Sequence, residues 1–378
     1  MQTETGNGLM RPLKITKIIF HIGEMPVDLR FSFGAPTTYP FMIARVFADE
    51  NEGIGECLTL PPAALDSFAK KLLGLDARRL DALLGETRDI VEAGEHQRFH
   101  CTIVREMLSM ALYDLVAKAH ELPLHALLGG ARRTHIPMMP CLFPKCPADA
   151  AETARRFLDQ GFQALKVKIF GDLAGDVELI RSVRRVMPAG YLQADANGGY
   201  KTLTAARDAV KEFAAAGLTT IEDPLDGTLD EYAELCNEFT TPRIMLDAPS
   251  RGDHALYQVC AKRAAHEINL HPNGQGPFSE ILGRAAIART AGIPAAVFGT
   301  GYTGIGSYGF AHIASVIGLY APYGECGGTV DHGMPACSAA EGLPIRNGCL
   351  ELPNAPGHGA MLNLRAIQPF VTRTLEIV

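Results

Sequence analysis

Six residues of this 378-residue chain have the types and the order to carry out chemistry together: Lys166, Lys168, Asp195, Glu222, Asp247 and His271. Each falls at the end of a short apolar run. Three carboxylates delivered from consecutive strand ends suit one hard cation, which prefers oxygen ligands in near-octahedral geometry and keeps places for water and substrate. Mg²⁺ is the expected ion. Taken singly, each acid suits a second use, capping the helix that follows its strand. Lys166 and Lys168 stand two apart, so in a strand their side chains share a face. Two neighbouring, partly buried ammonium groups disfavour each other's charge. The expectation is that one pKa falls toward neutrality and yields a base, while the other cation holds a substrate carboxylate. On an exposed strand edge the same pair would be two solvated charges. A lysine base beside a divalent metal addresses one problem: the proton α to a carboxylate is weakly acidic, and its removal places two negative charges on an enediolate that metal and Lys166 would stabilise.

The elements that must position these residues are short β-branched or apolar runs alternating with helical segments, the pattern of βα units and a parallel sheet. Eight candidate strands are 136–142, 164–169, 191–194, 219–221, 243–246, 267–270, 294–298 and 319–323, with helices such as 148–160, 203–216 and 278–291 between them. Eight repeats suggest an α/β fold, a (β/α)₈ barrel whose strand ends all open onto one face. A dinucleotide site in a doubly wound sheet is not supported, because no G-x-G-x-x-G follows the first strand. Ahead of the barrel, 14–22 and 41–47 read as strands, with the turn Asp49-Glu50-Asn51-Glu52-Gly53 leading to Ile54-Gly55-Glu56. Residues 65–128 are helical, clearest over 104–119, so this part is an α+β unit.

Bulk properties narrow the function. A hydrophobic fraction of 47% supports a large core. A net charge of -7 with scattered basic residues excludes a nucleic-acid surface. A polar start and the lack of any stretch of membrane-spanning length read as a soluble, cytoplasmic protein without a membrane partner. Nine cysteines, an odd number with no C-x-x-C pair, suit reduced thiols, and the closest two, Cys141 and Cys146, are read as accidental neighbours.

Ala111-Leu112-Tyr113-Asp114-Leu115, continuing through Leu122-Pro123-Leu124 to Leu127-Leu128-Gly129-Gly130, resembles the junction between capping domain and barrel in the mandelate racemase and muconate lactonizing enzymes of the enolase superfamily. Leu165-Lys166-Val167-Lys168, Asp195-Ala196-Asn197, Ile221-Glu222-Asp223-Pro224 and Met245-Leu246-Asp247 follow in that family's order, and Gly342-Leu343-Pro344-Ile345, Leu352-Pro353 and Pro356-Gly357-His358-Gly359 resemble its C-terminal return to the cap. The polar, Gly-containing start reads as a disordered tail at 1–12, and beyond it the resemblance implies an α+β capping domain at 13–130, a modified (β/α)₈ barrel at 131–340 and a return to the cap at 341–378. It further implies Asp195, Glu222 and Asp247 as Mg²⁺ ligands, Lys168 as base with Lys166 beside it, and a symmetric homo-oligomer. The K-x-K form is closest to the muconate lactonizing branch.

Departures from the pattern matter as much. In Asn269-Leu270-His271-Pro272 a histidine stands where that branch has its sixth-strand lysine, and an imidazole can pass a proton near neutral pH or simply hydrogen-bond. Phe298-Gly299-Thr300-Gly301 supplies no seventh-strand histidine, and Tyr302 stands where an acid often precedes the following motif. His312, in a helix, is read as structural. By the resemblance, Glu325 lines the pocket opposite the base or else sits solvated in a Gly-rich turn. Loops 24–39 and the one after Glu56 would close over the barrel, placing Phe31, Phe33 and Leu58 against substrate or in the packing between cap and barrel. Asn197 and Tyr302 complete the expected substrate contacts.

The expected reaction is abstraction of the proton α to the carboxylate of a small molecule, returned on the other face by Lys168 and His271 as opposed bases: racemisation or epimerisation. A dehydratase or other lyase, or a cycloisomerase, would use the same intermediate. A family member that binds metal and carboxylate without turnover, and a Schiff-base aldolase, are further alternatives.

Overall fold

The structure, a computed structural model, describes residues 12–85, 95–297, 299, 303–326 and 344–378. The expected N-terminal tail lies outside the described residues except for its last position, and so does Tyr302.

Strands β1 (Ile15–Pro26), β2 (Thr38–Ala48) and β3 (Asn51–Cys57) form an antiparallel meander. Alternate residues of β1, such as Ile18, Phe20 and Ile22, bury one face. The β2–β3 turn is tighter than the sequence suggested: Asn51 already pairs with Ala48, leaving Asp49 and Glu50 as a two-residue connection with Asp49 at φ 49°. After α1 (Leu65–Leu72), the long helix α2 (Glu95–Ala119) lies across this sheet. It approaches so closely that a side chain at Gly53 or Gly55 would start 2.0 Å from the carbonyl oxygens of Ala111 or Met107. That contact explains two glycines inside a strand.

Eight parallel steps follow: β4 (His135–Leu142), α3 (Pro147–Asp159), β5 (Ala164–Lys168), α4 (Leu173–Val186), β6 (Tyr191–Asp195), α5 (Leu203–Ala215), β7 (Thr220–Glu222), α6 (Leu229–Glu238), β8 (Arg243–Leu246), α7 (Asp253–Lys262), β9 (Glu267–Asn269), α8 (Phe278–Thr290), β10 (Ala295–Ala296), α9 (Ile305–Val316) and β11 (Gly324–Cys326). Seven of the expected strands coincide with β4 to β10. The eighth does not: 319–323 is not a strand. Tyr320 bridges Ala295 of the seventh strand, Pro322 then interrupts the ladder for want of an N–H, and pairing resumes as β11 against β4, Glu325 opposite Met139. The break lets one short segment close the barrel on both neighbours.

The C-terminal segment adds a hairpin, β12 (Ile345–Arg346) and β13 (Cys349–Glu351), antiparallel to β4. It then crosses back to the first sheet as β14 (Val371–Ile377), pairing Leu375 with Phe20. Asp114 of α2 joins the parts: its carboxylate accepts the N–H groups of Ile54 and His358 and pairs with Lys118 at 2.6 Å. Among the described residues no helix is long and apolar enough to cross a membrane.

Candidate active site

Register places the chemistry. Lys168 lies level with Asp195, and Asp195 with Glu222, across three adjacent parallel strands. Glu222 is level with Met245, so Asp247 follows just beyond the end of β8, and His271 stands two residues past the end of β9. All open into one cavity of about 800 Å³ that Lys166, Asn197, Asp223 and Arg251 also line.

The two lysines are buried among acids rather than against each other. Lys166 Nζ lies 2.6 Å from Glu325, 2.9 Å from Glu222 and 3.0 Å from Asp195. Lys168 Nζ lies 2.6 Å from Asp195 and 3.2 Å from Asn197 Oδ1. The expected fall of a lysine pKa is therefore reversed here: burial pulls both ammonium groups down, but Asp195, joined for Lys166 by Glu222 and Glu325, outweighs it and holds both above the usual lysine range. Burial would likewise raise Asp195, yet the two lysines hold it below the usual carboxylate range. Glu222 is pushed up to about 7 by burial, against the pull of Lys166 and with added repulsion from Asp195, Asp247 and Glu325. Its oxygens accept from Gln193 at 2.5 Å and Asn269 at 3.2 Å.

Asp247 is held from both sides. Its backbone N–H and that of Ala248 donate to Asp223 at 3.0 and 3.1 Å, and Arg251 grips its carboxylate with two bonds of 3.1 Å. Among the described residues no three His, Cys, Asp or Glu side chains form a closed metal-ligand cluster. Lys166, Lys168 and Arg251 are the cations on the three carboxylates. Glu325 is a buried strand residue paired with Lys166, so the solvated-turn alternative does not hold.

His271 is fixed by its neighbours. Its Nδ1 lies 2.6 Å from the carbonyl oxygen of Pro272. A carbonyl only accepts, so Nδ1 carries the proton and Nε2 is left with its lone pair. Burial lowers its pKa, with Asp247 and Glu325 opposing. Gly299 of the seventh-strand connection packs directly on the ring.

The cap closes the cavity. Phe31, Phe33, Tyr39, Leu58, Thr59 and His100 line it. Phe31 and Phe33 stack with centroids 4.9 Å apart, and Lys168 Nζ stands 5.0 Å from the Phe31 ring centroid. Phe33 is 73% exposed at the rim. Ser32 Oγ donates to the carbonyl oxygen of Asn197 at 3.3 Å, tying this loop to the barrel. His312 is buried away from the cavity, between His125 and the carbonyl oxygen of His358. Cys141 is buried and Cys146 exposed, both as free thiols.

Arg251 and two buried cap acids escaped the sequence reading. Glu56 accepts the N–H groups of Thr303 and Gly306, and Glu106 those of Asn273, Gly274 and Gln275. The signal for Glu106 was present: it lies next to Met107 and one helical turn from Met110, an acid on the apolar face of α2.

Comparison with known proteins agrees with this architecture. Residues 14–129 match the mandelate racemase / muconate lactonizing enzyme N-terminal domain, and residues 149–366 match the enolase C-terminal domain-like family. An N-succinylamino acid racemase of Thermus thermophilus is 29% identical over 96% of this chain and 97% of its own. A cis-3-hydroxy-L-proline dehydratase of Roseibium aggregatum is 27% identical over 92% and 96%. The solved structure of an enolase from Pseudomonas fluorescens Pf0-1, with bound magnesium, potassium and tartrate, superposes with a TM-score of 0.85 at 21% identity, covering 96% of this chain and 92% of that one. This chain belongs to the mandelate racemase and muconate lactonizing enzyme family of the enolase superfamily, and it is an enzyme of the isomerase or lyase kind that family contains.

Proposed function

We propose that the enzyme holds one Mg²⁺ ion and removes the proton α to the carboxylate of a small acid, returning it on either face so that the substrate is racemised or epimerised. One observation carries this reading. Counting from β4, the second and sixth strands of an eight-stranded barrel stand diametrically opposite, and their ends present Lys168 and His271 to the same cavity. A proton taken on one side can be replaced from the other.

Asp195, Glu222 and Asp247 would hold the ion. Their donor chemistry fits it: all oxygen, all buried, with Glu222 raised to about 7 by burial and by its acidic neighbours, so that positive charge is what the cluster lacks. When bound, such an ion supplies charge stabilisation for the developing enediolate. Lys166 adds a fixed positive charge beside it. Lys168 is withheld from base chemistry while Asp195 clamps it, and acts once that carboxylate has another partner. His271 is poised differently, neutral and with Nε2 free to accept. Phe31 and Leu58 keep water from the reacting carbon. The racemase relative, aligned over nearly the whole of both chains, supports an N-acyl amino acid as substrate.

A lyase is the second reading, favoured by the dehydratase relative of similar coverage. His271 would then have to take up a proton on Nε2 first and pass it, as imidazolium, to the leaving group. The test is incubation with Mg²⁺ in deuterated water against N-succinyl and other N-acyl amino acids, dipeptides, hydroxy acids and sugar acids, following the α proton by NMR. Racemisation predicts deuterium at the α carbon of both product and recovered substrate. An eliminated product without an exchanged isomer sinks that reading in favour of the lyase, and silence across the panel sinks both.

A further inference from the structure

The segment that carries His271 is gripped by the cap. Glu106 of α2 is fully buried, and its partners are backbone donors: the N–H groups of Asn273 at 2.7 Å, Gln275 at 3.0 Å and Gly274 at 3.3 Å. One turn along the same face, Ser109 Oγ accepts the N–H of Phe278 at 2.9 Å and donates to Asp81, whose other oxygen accepts the N–H of Ser279 at 2.8 Å. Asn273 Oδ1 in turn accepts the N–H of Leu58 at 3.0 Å, so the cap loop that lines the cavity is tied to the same segment.

The decisive geometry is a single peptide unit. The carbonyl of Pro272 accepts the His271 ring proton at 2.6 Å, and the N–H of the same amide, that of Asn273, donates to Glu106 at 2.7 Å. A carboxylate pulling on the N–H of an amide polarises it and makes its carbonyl a stronger acceptor, because hydrogen bonds in series reinforce one another. The arrangement does for His271 what a carboxylate bonded directly to a ring nitrogen does elsewhere: it selects the tautomer and aims the ring. Burying a carboxylate with no directly paired cation among the described residues is costly, and packing alone does not call for it. The cost is offset where a backbone must be held in an unfavourable shape, here with Asn273 at φ 67° and Gly276 at φ 81°.

We propose that Glu106 is a positioning residue that acts on His271 through the Pro272–Asn273 peptide, fixing the ring with Nε2 as proton acceptor toward the cavity. This rests on His271 serving the second face of the substrate. Glu106→Gln keeps the shape of the side chain but turns one acceptor into a donor facing donors. Two readouts separate the inference from the function it rests on. Burial raises Glu106 to about 7, so both readouts are taken well above neutral pH, where it is a carboxylate: in protein labelled with ¹⁵N-histidine, the ring signals of His271, assigned by their loss in His271→Ala, should show one Nδ1–H tautomer in the wild type and a mixture in Glu106→Gln. With the L and D forms of whichever N-acyl amino acid exchanges fastest, α-proton exchange should fall by about 10- to 100-fold for the enantiomer served by His271, as for other supporting bonds to functional histidines. Exchange through Lys168 should change by less than about threefold.

Unchanged ring signals in a folded Glu106→Gln variant, or equal loss for both enantiomers, overturn the inference. If the wild type exchanges no probe, the functional reading fails and the ring signals alone decide. Should Glu106→Gln not fold, Glu106→Asp, which draws the carboxylate back by one methylene, is read by the same two criteria.

Discussion

Gly299→Ala tests whether the placement of His271 matters to one half of the reaction. A Cβ at position 299 would sit 2.3 Å from Nε2, 2.5 Å from Cε1 and 2.8 Å from Cδ2 of the imidazole. To regain an ordinary contact of about 3.5 Å the ring must retreat by roughly 1 Å. Overpacking of this kind costs about 1 to 3 kcal/mol of stability, which a shift in Tm reports. Its effect on chemistry is the sharper measure, because misplacing a reacting group by about 1 Å costs on the order of 100-fold in rate. Lys168 lies across the barrel and is untouched. In deuterated water with Mg²⁺, α-proton exchange from the two enantiomers of one substrate should therefore diverge, falling about 100-fold for the one served by His271 and little for the other. Equal loss for both, or no loss for either in a folded variant, would refute the opposed-base geometry.

Lys168→Ala should remove exchange from the other enantiomer by about 100-fold or more and leave Mg²⁺ binding, followed by calorimetry, in place, since Lys166 still balances Asp195. Asp195→Asn should weaken Mg²⁺ binding itself, and unchanged affinity there would remove Asp195 from the ligand set. Glu56 and Glu106, each raised from 4.5 to about 7 by burial despite several backbone donors, hold protons in the folded state that the unfolded chain releases. Stability should thus fall as pH rises between about 4.5 and 7, by up to roughly 3 kcal/mol for each acid, and level off above; a urea midpoint that does not move between pH 5 and 7.5 would contradict this. Thr228 caps α6 reciprocally with Glu231, so Thr228→Ala should cost about 1 kcal/mol of stability with exchange rates unchanged.

What the sequence made legible follows from where information is local. Seven barrel strands and their helices could be read because apolar runs and helical periodicity are properties of neighbouring residues, and the residues at strand ends then converge by topology alone. The eighth strand was misplaced because Pro322 splits it between two partners far apart in the chain, β4 and the segment at Ala295. The lysine pair was read as mutually repelling because only the lysines are adjacent in sequence. The carboxylates that reverse the effect come from strands about 30, 55 and 160 residues on, at the strand spacing of about 4.8 Å. Glu106 and Arg251 were missed for the same reason: each is meaningful only through a partner that folding brings to it.

The charges of the site account for its behaviour as a unit. Asp195, Glu222, Asp223, Asp247 and Glu325 gather at the strand ends, and the permanent cations facing them are Lys166, Lys168 and Arg251. Five acids against three cations leaves a formal deficit of two. The groups that absorb it are Glu222, raised to about 7, and Asp223, raised well above its usual range, each by burial and then by the acids around it, with Lys166 opposing for Glu222. The deficit equals the charge of one divalent ion, which supports the proposed Mg²⁺ site. It also explains why neither lysine is free as the site stands: each ammonium shares in neutralising Asp195, and the proposed base on β5 would emerge only when that carboxylate is satisfied from elsewhere. His271 carries no such debt. Its proton sits on Nδ1, against a carbonyl whose amide is anchored in the cap, so its tautomer is set by the docking of cap on barrel, while burial lowers its pKa and Asp247 and Glu325 oppose that fall. On the proposed reading the two faces of the substrate would be served by different groups, Lys168 and His271, and single substitutions at Gly299, Glu106 and Lys168 should separate them.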